Sequence, residues 1–324
     1  MTARSTKGRI KTEPEKIFSK KVRFFEHQTR DERYERFFVY IPPRFIDSVF
    51  VRGGIRLKVT PPIHFNDPFE ACVSITASDG ESFRERYVRQ TGRRDFYTSH
   101  LEVKQENLRA HLSHAVLQKI SAEFGVICAS LIPENILMWS HYALSHRGFA
   151  IAVDPFGRMA VRQGLCFKRV RYSRKRPTIS VTRLEKVLKN PLESNESVFR
   201  RCILTKSRTW AYEHEFRAII PLDSTTREPL DPSKPKGPKG HFIWLNDDSI
   251  NSVIAGWRMN DEDGEKIARY VSQWRSVSYH RAIPHNDAFA LNIRPYYQGP
   301  PARLGDPFAT NYHPPLTGRD DADF

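Results

Sequence analysis

Apolar positions along this chain fall into short runs whose period switches repeatedly between the strand value and the helix value. Phe37-Phe38-Val39-Tyr40 reads as a strand closed by Pro42-Pro43. Phe45 to Val51 predicts a helix ended by Gly53-Gly54, and Ile55 to Val59 alternates as a strand. Pro61 and Pro62 lead into a turn at Asn66-Asp67-Pro68. There Pro68 keeps Asp67 out of the helical region, and the Asn66 side chain is expected to bond the backbone two residues on. The pattern from Glu81 to Phe124 is helical, with Leu108, Leu112, Ala115, Val116 and Ile120 on one face. Gly125 to Leu131 is a continuous apolar strand. Pro133 opens a helix through Met138 and Tyr142 that Gly148 ends.

Strands are predicted at Phe149 to Val153, Leu165 to Tyr172 and Glu213 to Ile220, with a basic helical section from Arg183 to Lys206. Asp223 to Gly240 reads as a long Pro/Lys/Gly-rich loop. Strands at His241 to Leu245 and Ser252 to Ala255 follow, then a helix near Asp261 to Trp274 and strands near Val277 to Arg281 and Ala288 to Ile293. The irregular interleaving predicts an α+β fold: a single mixed, mainly antiparallel sheet domain with helical insertions. It spans residues 37–294, between a basic N-terminal extension (1–36, with a helix from Glu15) and a Pro-rich tail (295–324).

Composition adds a core and a charge. At 324 residues, with 39% hydrophobic and 12% aromatic residues, the chain can bury a sizeable interior. No run reaches the roughly 18 apolar residues of a membrane span, and Met1 to Lys21 has no apolar segment of a secretory signal. A cytoplasmic protein is the expectation. Cys72, Cys128, Cys166 and Cys202 lack metal-ligand spacing, and the first three read as small buried hydrophobes. His111, His114, His141 and His146 lack an acidic partner at zinc-enzyme spacing, so no metal is expected.

The net charge is +15, and Arg158 to Arg217 carries 16 Lys or Arg against 5 Glu and no Asp. Such a region draws in phosphates, acidic partners or nucleic acid; the plainer reading is a solvated face, because aromatics are not interleaved regularly with the charges.

Three segments concentrate polar and aromatic residues beside apolar runs, the composition of a lined pocket. They are His64 to Glu70, Met138 to Tyr142, and Lys206 through Trp210 to Arg217. On a strand Glu213, Glu215 and Arg217 share one face. Two carboxylates one pleat apart repel, which raises one pKa unless a cation sits between them, and Arg217 is placed to be that cation. The plainer reading is an ion-pair ladder. Met138, Trp139 and Tyr142 form either a pocket wall or an ordinary core stripe, and Asn66, Asp67 and Glu70 either contact a ligand or hold a structural turn. His141, Lys206 and Trp210 complete the set of pocket candidates.

The order Tyr40, Phe65-Asn66-Asp67-Pro68-Phe69, Met138-Trp139-Ser140-His141-Tyr142-Ala143, His146-Arg147-Gly148, Val170-Arg171-Tyr172, Lys206, Trp210 and Glu213-x-Glu215-x-Arg217 resembles a widespread bacterial domain of unknown function, over about Phe37 to Ile293. A looser resemblance joins the Glu213-x-Glu215 strand to the Glu-x-Glu strand of mono-ADP-ribosyltransferases. It implies NAD as substrate, Glu215 as the catalytic residue that stabilises an oxocarbenium-like transition state, and Glu213 on the acceptor side. It also implies Tyr142 or Trp139 stacked on nicotinamide and Arg56 on the pyrophosphate. The Ser-Thr-Ser segment of those enzymes is absent, and Tyr40 stands where they carry an Arg or His. The alternative is a non-catalytic module that binds nucleic acid or a partner through residues 158–217.

Overall fold

The computed structural model describes residues 36–76, 101–180, 183–184 and 196–296. The helix expected from Glu15, the stretch before Leu101, residues 185–195 of the basic section and the tail from residue 297 lie outside the described residues. In chain order the elements are β1 (Phe37–Ile41), α1 (Ile46–Val49), β2 (Phe50–Val51), β3 (Gly54–Val59), β4 (Ser74–Thr76), α2 (Leu101–Glu123), β5 (Phe124–Ser130), α3 (Ile136–Tyr142) and β6 (Phe149–Val153). Then come α4 (Arg158–Arg162), β7 (Phe167–Arg169), β8 (Arg171–Ser173), β9 (Thr178–Ser180), α5 (Glu196–Ile203), β10 (Thr205–Ser207), a 3₁₀ turn (Arg208–Glu213) and β11 (Glu215–Pro221). The chain continues through β12 (Thr226–Pro229), β13 (Lys239–Leu245), β14 (Ile250–Ala255), α6 (Asp261–Val271), β15 (Ser278–Pro284) and β16 (Leu291–Pro295).

The fold is α+β. Eight strands form one sheet in the order β16-β15-β14-β6-β1-β5-β11-β7, antiparallel except where β14 meets β15. The single sheet expected from the sequence is joined by a four-stranded one, β12-β13-β3-β2, and by the parallel pairs β8–β10 and β4–β9. Registered partners share a face. Phe37, Ile41, Ile127, Ala129 and Phe216 pack against Ile55, Leu57, Val59, Ile243 and Leu245 of the second sheet. On the opposite face, Trp139 and Ala143 cover Phe38, Ala150, Ala152 and Ile254. Further along that face Val116, Ile120, Val198 and Phe199 cover Val126 and Ile219.

The sheet is split at its centre. β1 pairs with β6 at five positions and β5 with β11 at seven, but β1 and β5 share only Phe38↔Ser130. Past that pair the free edge of β5 is taken by the end of β3. The Thr60 N–H donates to the Val126 carbonyl at 2.9 Å, and the Val126 N–H returns the bond to Thr60 at 2.9 Å. Gly125 makes this approach possible, since a Cβ there would stand 2.5 Å from Val59 Cγ1. A cavity of about 420 Å³ is lined by Tyr40 and Ile41 from β1 and by Val126 and Cys128 from β5.

Several elements differ from the sequence reading. Only Ile46–Val49 of the expected 45–51 helix is helical, because Phe50 and Val51 turn into a strand that pairs with β3. The long loop after Asp223 contains β12, which pairs with β13 as a hairpin. Leu165 to Tyr172 breaks at Val170, so β7 joins the large sheet and β8 pairs with β10. Of the Arg183 to Lys206 section the described residues Arg183, Leu184 and Glu196–Ile203 are helical, and the chain then enters β10. α3 is capped by Asn135, whose side chain accepts from Leu137 and Met138, and it ends at Tyr142. Leu144, Ser145 and His146 then adopt left-handed φ values of 48°, 54° and 68°. Among the described residues no helix is long and apolar enough to cross a membrane.

Candidate functional site

Five charged side chains meet at the cavity wall, and all are buried: Glu70, Lys206, Glu213, Glu215 and Arg217. Lys206 is the hub. Its ammonium lies 3.0 Å from Glu70 Oε1, 2.5 Å from Glu213 Oε2 and 3.0 Å from Glu215 Oε2. It donates hydrogen bonds to Glu213 and Glu215 and is ion-paired with Glu70 as well. Arg217 forms the second tie. Its Nε donates to Glu215 Oε1 at 2.7 Å, and its Nη2 reaches Glu215 Oε2 at 2.9 Å and Glu70 Oε2 at 2.5 Å. Its Nη1 donates to the Ile203 carbonyl at 2.6 Å, and the Phe65 ring lies 5.0 Å from the guanidinium.

The two glutamates do not share a strand face, which corrects the sequence reading. Glu213 ends the 3₁₀ turn, and β11 begins only at Glu215. Between them His214 is left-handed, with φ 45°. That kink directs both carboxylates to Lys206. The cation between them is therefore Lys206 and not Arg217, which engages Glu215 and Glu70. Ser130 Oγ donates to the Glu213 carbonyl at 2.7 Å, and the Glu215 N–H donates to Tyr172 Oη at 2.8 Å, so the backbone on each side of the kink is held.

Burial and then the neighbouring Glu215 charge push the Glu213 carboxyl up to about 7, against the pull of Lys206 and Tyr142. Tyr142 Oη donates to Glu213 Oε1 at 2.5 Å. Burial would raise Glu215 as well, but Arg217 and Lys206 outweigh it and hold its carboxyl down at about 2. Burial works against the Lys206 charge, yet Glu215 and Glu70 overcome it and raise its pKa. The site thus holds one fixed carboxylate beside one whose proton is exchangeable near neutral pH.

The cavity gathers residues from all three sequence segments. Asn66, Asp67, Glu70, Tyr142, Lys206, Trp210, Glu213, Glu215 and Arg217 line it, with Met138 and Phe65. Asp67 Oδ2 accepts from Trp210 Nε1 at 2.9 Å and joins the first segment to the third. The turn is held by Asp67 and not by Asn66: Asp67 Oδ1 accepts from the Phe69 N–H at 2.9 Å.

Four candidates sit elsewhere or are otherwise engaged. Trp139 is fully buried in the core over β1 and β6, and its indole N–H donates to the Pro133 carbonyl. It reaches no cavity, because a helix turns residues 138 and 139 about 100° apart. Tyr40 packs edge-on to Trp139, and its hydroxyl donates to the Ile132 carbonyl at 2.9 Å. Arg56 lines the far end of the cavity, with its donors on the Ser48 carbonyl, Ser48 Oγ, Glu228 and the Pro229 carbonyl. Its guanidinium lies 4.3 Å from the Phe242 ring. His141 is exposed and lies outside the cavity, 6.2 Å from the Tyr212 ring.

Cys128 is not the buried hydrophobe that its apolar strand predicts: it is exposed into the cavity. It stands opposite Arg217 on the neighbouring strand. Enclosure by protein and the Glu215 charge raise its thiol well above the usual value, so the thiol stays protonated. Alternation along β5 would have put Cys128 on the Ser130 face, but only strand pairing shows that this face meets the charged cluster. The basic region is likewise divided: Lys206 and Arg217 point inward, while Arg169, Arg171, Arg174, Lys175, Arg176 and Arg208 are exposed.

Residues 138–218 match the family model described as Protein of unknown function (DUF2971). The matched stretch covers about a quarter of the chain and runs from Met138 through Lys206, Glu213, Glu215 and Arg217. No curated protein and no solved structure matches the chain. The DUF2971 match thus contains most of the charged cluster, while Glu70 comes from outside it.

Proposed function

We propose that this chain is an enzyme that acts on NAD as substrate and transfers its ADP-ribose to an acceptor. The observation that supports this reading best is Glu213: a buried carboxyl at a cavity wall, bonded by Tyr142 and Lys206 and poised to exchange a proton near neutral pH. Three carboxylates face two cations in the cluster, leaving one negative charge in excess when all are ionised. Such an excess favours a substrate that is cationic or becomes so in the transition state. Aromatic rings of Tyr142, Trp210 and Phe65 beside it suit a planar nicotinamide. The cavity volume, about 420 Å³, is that of an ordinary small-ligand site.

In the reaction, the bond between ribose C1′ and the nicotinamide nitrogen breaks, and its electron pair leaves with neutral nicotinamide. An acceptor oxygen or nitrogen bonds to C1′ and releases a proton, which Glu213 takes. Glu213 thus keeps the acceptor-side role that the ADP-ribosyltransferase resemblance implies, while Glu215 keeps its charge and anchors the cations. Arg56 is engaged by other groups; Lys58 and His64, exposed and lining the cavity, are the groups that would meet the pyrophosphate.

The test is release of nicotinamide from NAD by purified wild type and by Glu213→Gln, with cell lysate as acceptor. Removal of the base should lower the rate on the order of 10²-fold or more in a variant that still unfolds cooperatively above the assay temperature. A folded wild type that neither binds nor consumes NAD overturns the reading.

A further inference from the structure

A row of aromatic rings leads out of the cavity. Trp210, which lines it, lies 6.0 Å from Tyr212, and Tyr212 lies 6.2 Å from His141. Tyr212 is partly exposed and His141 exposed, and neither lines the cavity. The row is held at both ends. Trp210 is tied to Asp67. Asn135 donates to the Tyr212 carbonyl at 2.5 Å while its side-chain oxygen caps α3, the helix that carries His141. One residue thus sets the 3₁₀ turn and the helix relative to each other.

Cations flank the row. Arg208 opens the 3₁₀ turn that carries Trp210 and Tyr212, and it is exposed. Ser207, the cap of that turn, ends β10, which pairs in register with β8: Arg171↔Thr205, Tyr172↔Lys206 and Ser173↔Ser207. Lys206 faces the cavity, so alternation turns Arg171 to the outer side of this ribbon, and the exposed Arg174, Lys175 and Arg176 follow directly. Exposed rings beside exposed cations are what unpaired bases and a phosphate backbone require together. An acidic peptide would use the cations and leave the rings idle. A duplex hides its base faces.

We propose that this row and its basic flank are the acceptor surface, and that the acceptor is a single-stranded nucleic acid. An unpaired base stacks on Tyr212 and His141, and the phosphates lie along Arg208 and the β8 segment. The strand then enters the cavity past Trp210, where a base or sugar heteroatom attacks C1′ and passes its proton to Glu213. Strand binding stands by itself; the transfer step rests on the NAD reading above.

The experiment measures anisotropy of a labelled mixed-sequence single strand, its duplex, and competition by heparin and poly-glutamate, across a salt series. The single strand should bind most tightly. Tyr212→Ala should weaken it roughly 5- to 150-fold while leaving heparin competition unchanged, and His141→Ala should act in the same direction. Arg208→Ala should weaken all polyanions and reduce the salt slope by about one. Melting curves identify any variant that fails to fold, in which case the remaining variant decides. Equal affinity for strand, duplex and heparin, tighter binding of poly-glutamate, or a single-strand affinity unmoved by Tyr212→Ala and His141→Ala overturns the proposal. Transfer is read separately with labelled NAD. Strand binding without nicotinamide release sinks the NAD reading and leaves the surface standing. Nicotinamide release with a bound but unmodified strand overturns the acceptor role.

Discussion

Glu213 and Glu215 reach one ammonium, that of Lys206, from two different backbone elements, with left-handed His214 between them. Each carboxylate is buried, so neither is screened by water, and their fates separate through their other partners. Glu215 has Arg217 as well as Lys206; Glu213 has a neutral phenol. That difference puts one pKa at about 2 and the other at about 7.

Lys206→Met should be among the most damaging single substitutions. It leaves Glu70, Glu213 and Glu215 facing one another with only Arg217 to balance them. Breaking a buried ion pair from one side costs about 3–5 kcal/mol. Urea denaturation near pH 7.5 should show a loss of that order. The loss should shrink in mild acid as Glu213 protonates, and an equal loss at both pH values would contradict the cluster.

Stability should respond to Glu213 and Glu215 with opposite signs. The Glu213 carboxyl is raised from about 4.3 for an unperturbed glutamate to about 7. The folded state therefore holds a proton that the unfolded state has already released. Its contribution is complete below the unfolded value, declines as pH rises and is gone above about 7. Glu215 is lowered to about 2, so its contribution is complete above the unfolded value and is lost as pH falls toward about 2. Glu213→Gln should flatten the decline in melting temperature between about pH 5 and 7.5 and leave the acid limb in place. A calorimetric pH series of wild type and variant checks this.

Trp139 should matter to folding and not to ligand. Its side chain is wholly buried, and truncation to Ala should cost about 3–5 kcal/mol. Trp139→Phe should stay folded, although it leaves the Pro133 carbonyl without its donor, and should bind ligand as wild type does in calorimetric titration. A Trp139→Phe protein of native melting temperature with weakened binding would show that Trp139 reaches the ligand.

His214 occupies a backbone region in which a β-branched residue is strained. His214→Gly should be tolerated or slightly stabilising, by up to about 1 kcal/mol. His214→Val should cost about 1–2 kcal/mol and disturb the pairing of both glutamates with Lys206. Thermal melts give the ranking, and an equal effect of Gly and Val would remove the kink as the cause of convergence.

Much of the architecture was legible because it is local. Phe149 to Val153 is an unbroken apolar run and became a strand buried at every position. Pro133 marked the start of α3 to within a few residues, through backbone chemistry that needs no distant partner. The mixed polar and aromatic makeup of three segments also marked where the cavity residues would come from. Local patterning determines secondary structure and the face a residue takes, because both follow from neighbours one to four positions away.

Tertiary structure alone decided how those faces meet. Alternation could not show that His214 breaks the Glu-x-Glu strand, since left-handed backbone leaves no trace in polarity. Nor could it show that β1 and β5 separate after one pair, because the competitor for β5's edge is Thr60, more than sixty residues away in sequence. Arg56 looked available until Ser48, Glu228 and Pro229 surrounded it. The sequence left Trp139 open between pocket wall and core, and the crossing of α3 over β1 decided for the core. Each of these depends on which distant segment wins a shared surface or hydrogen bond, a contest settled by packing in three dimensions and not by any residue's own neighbours.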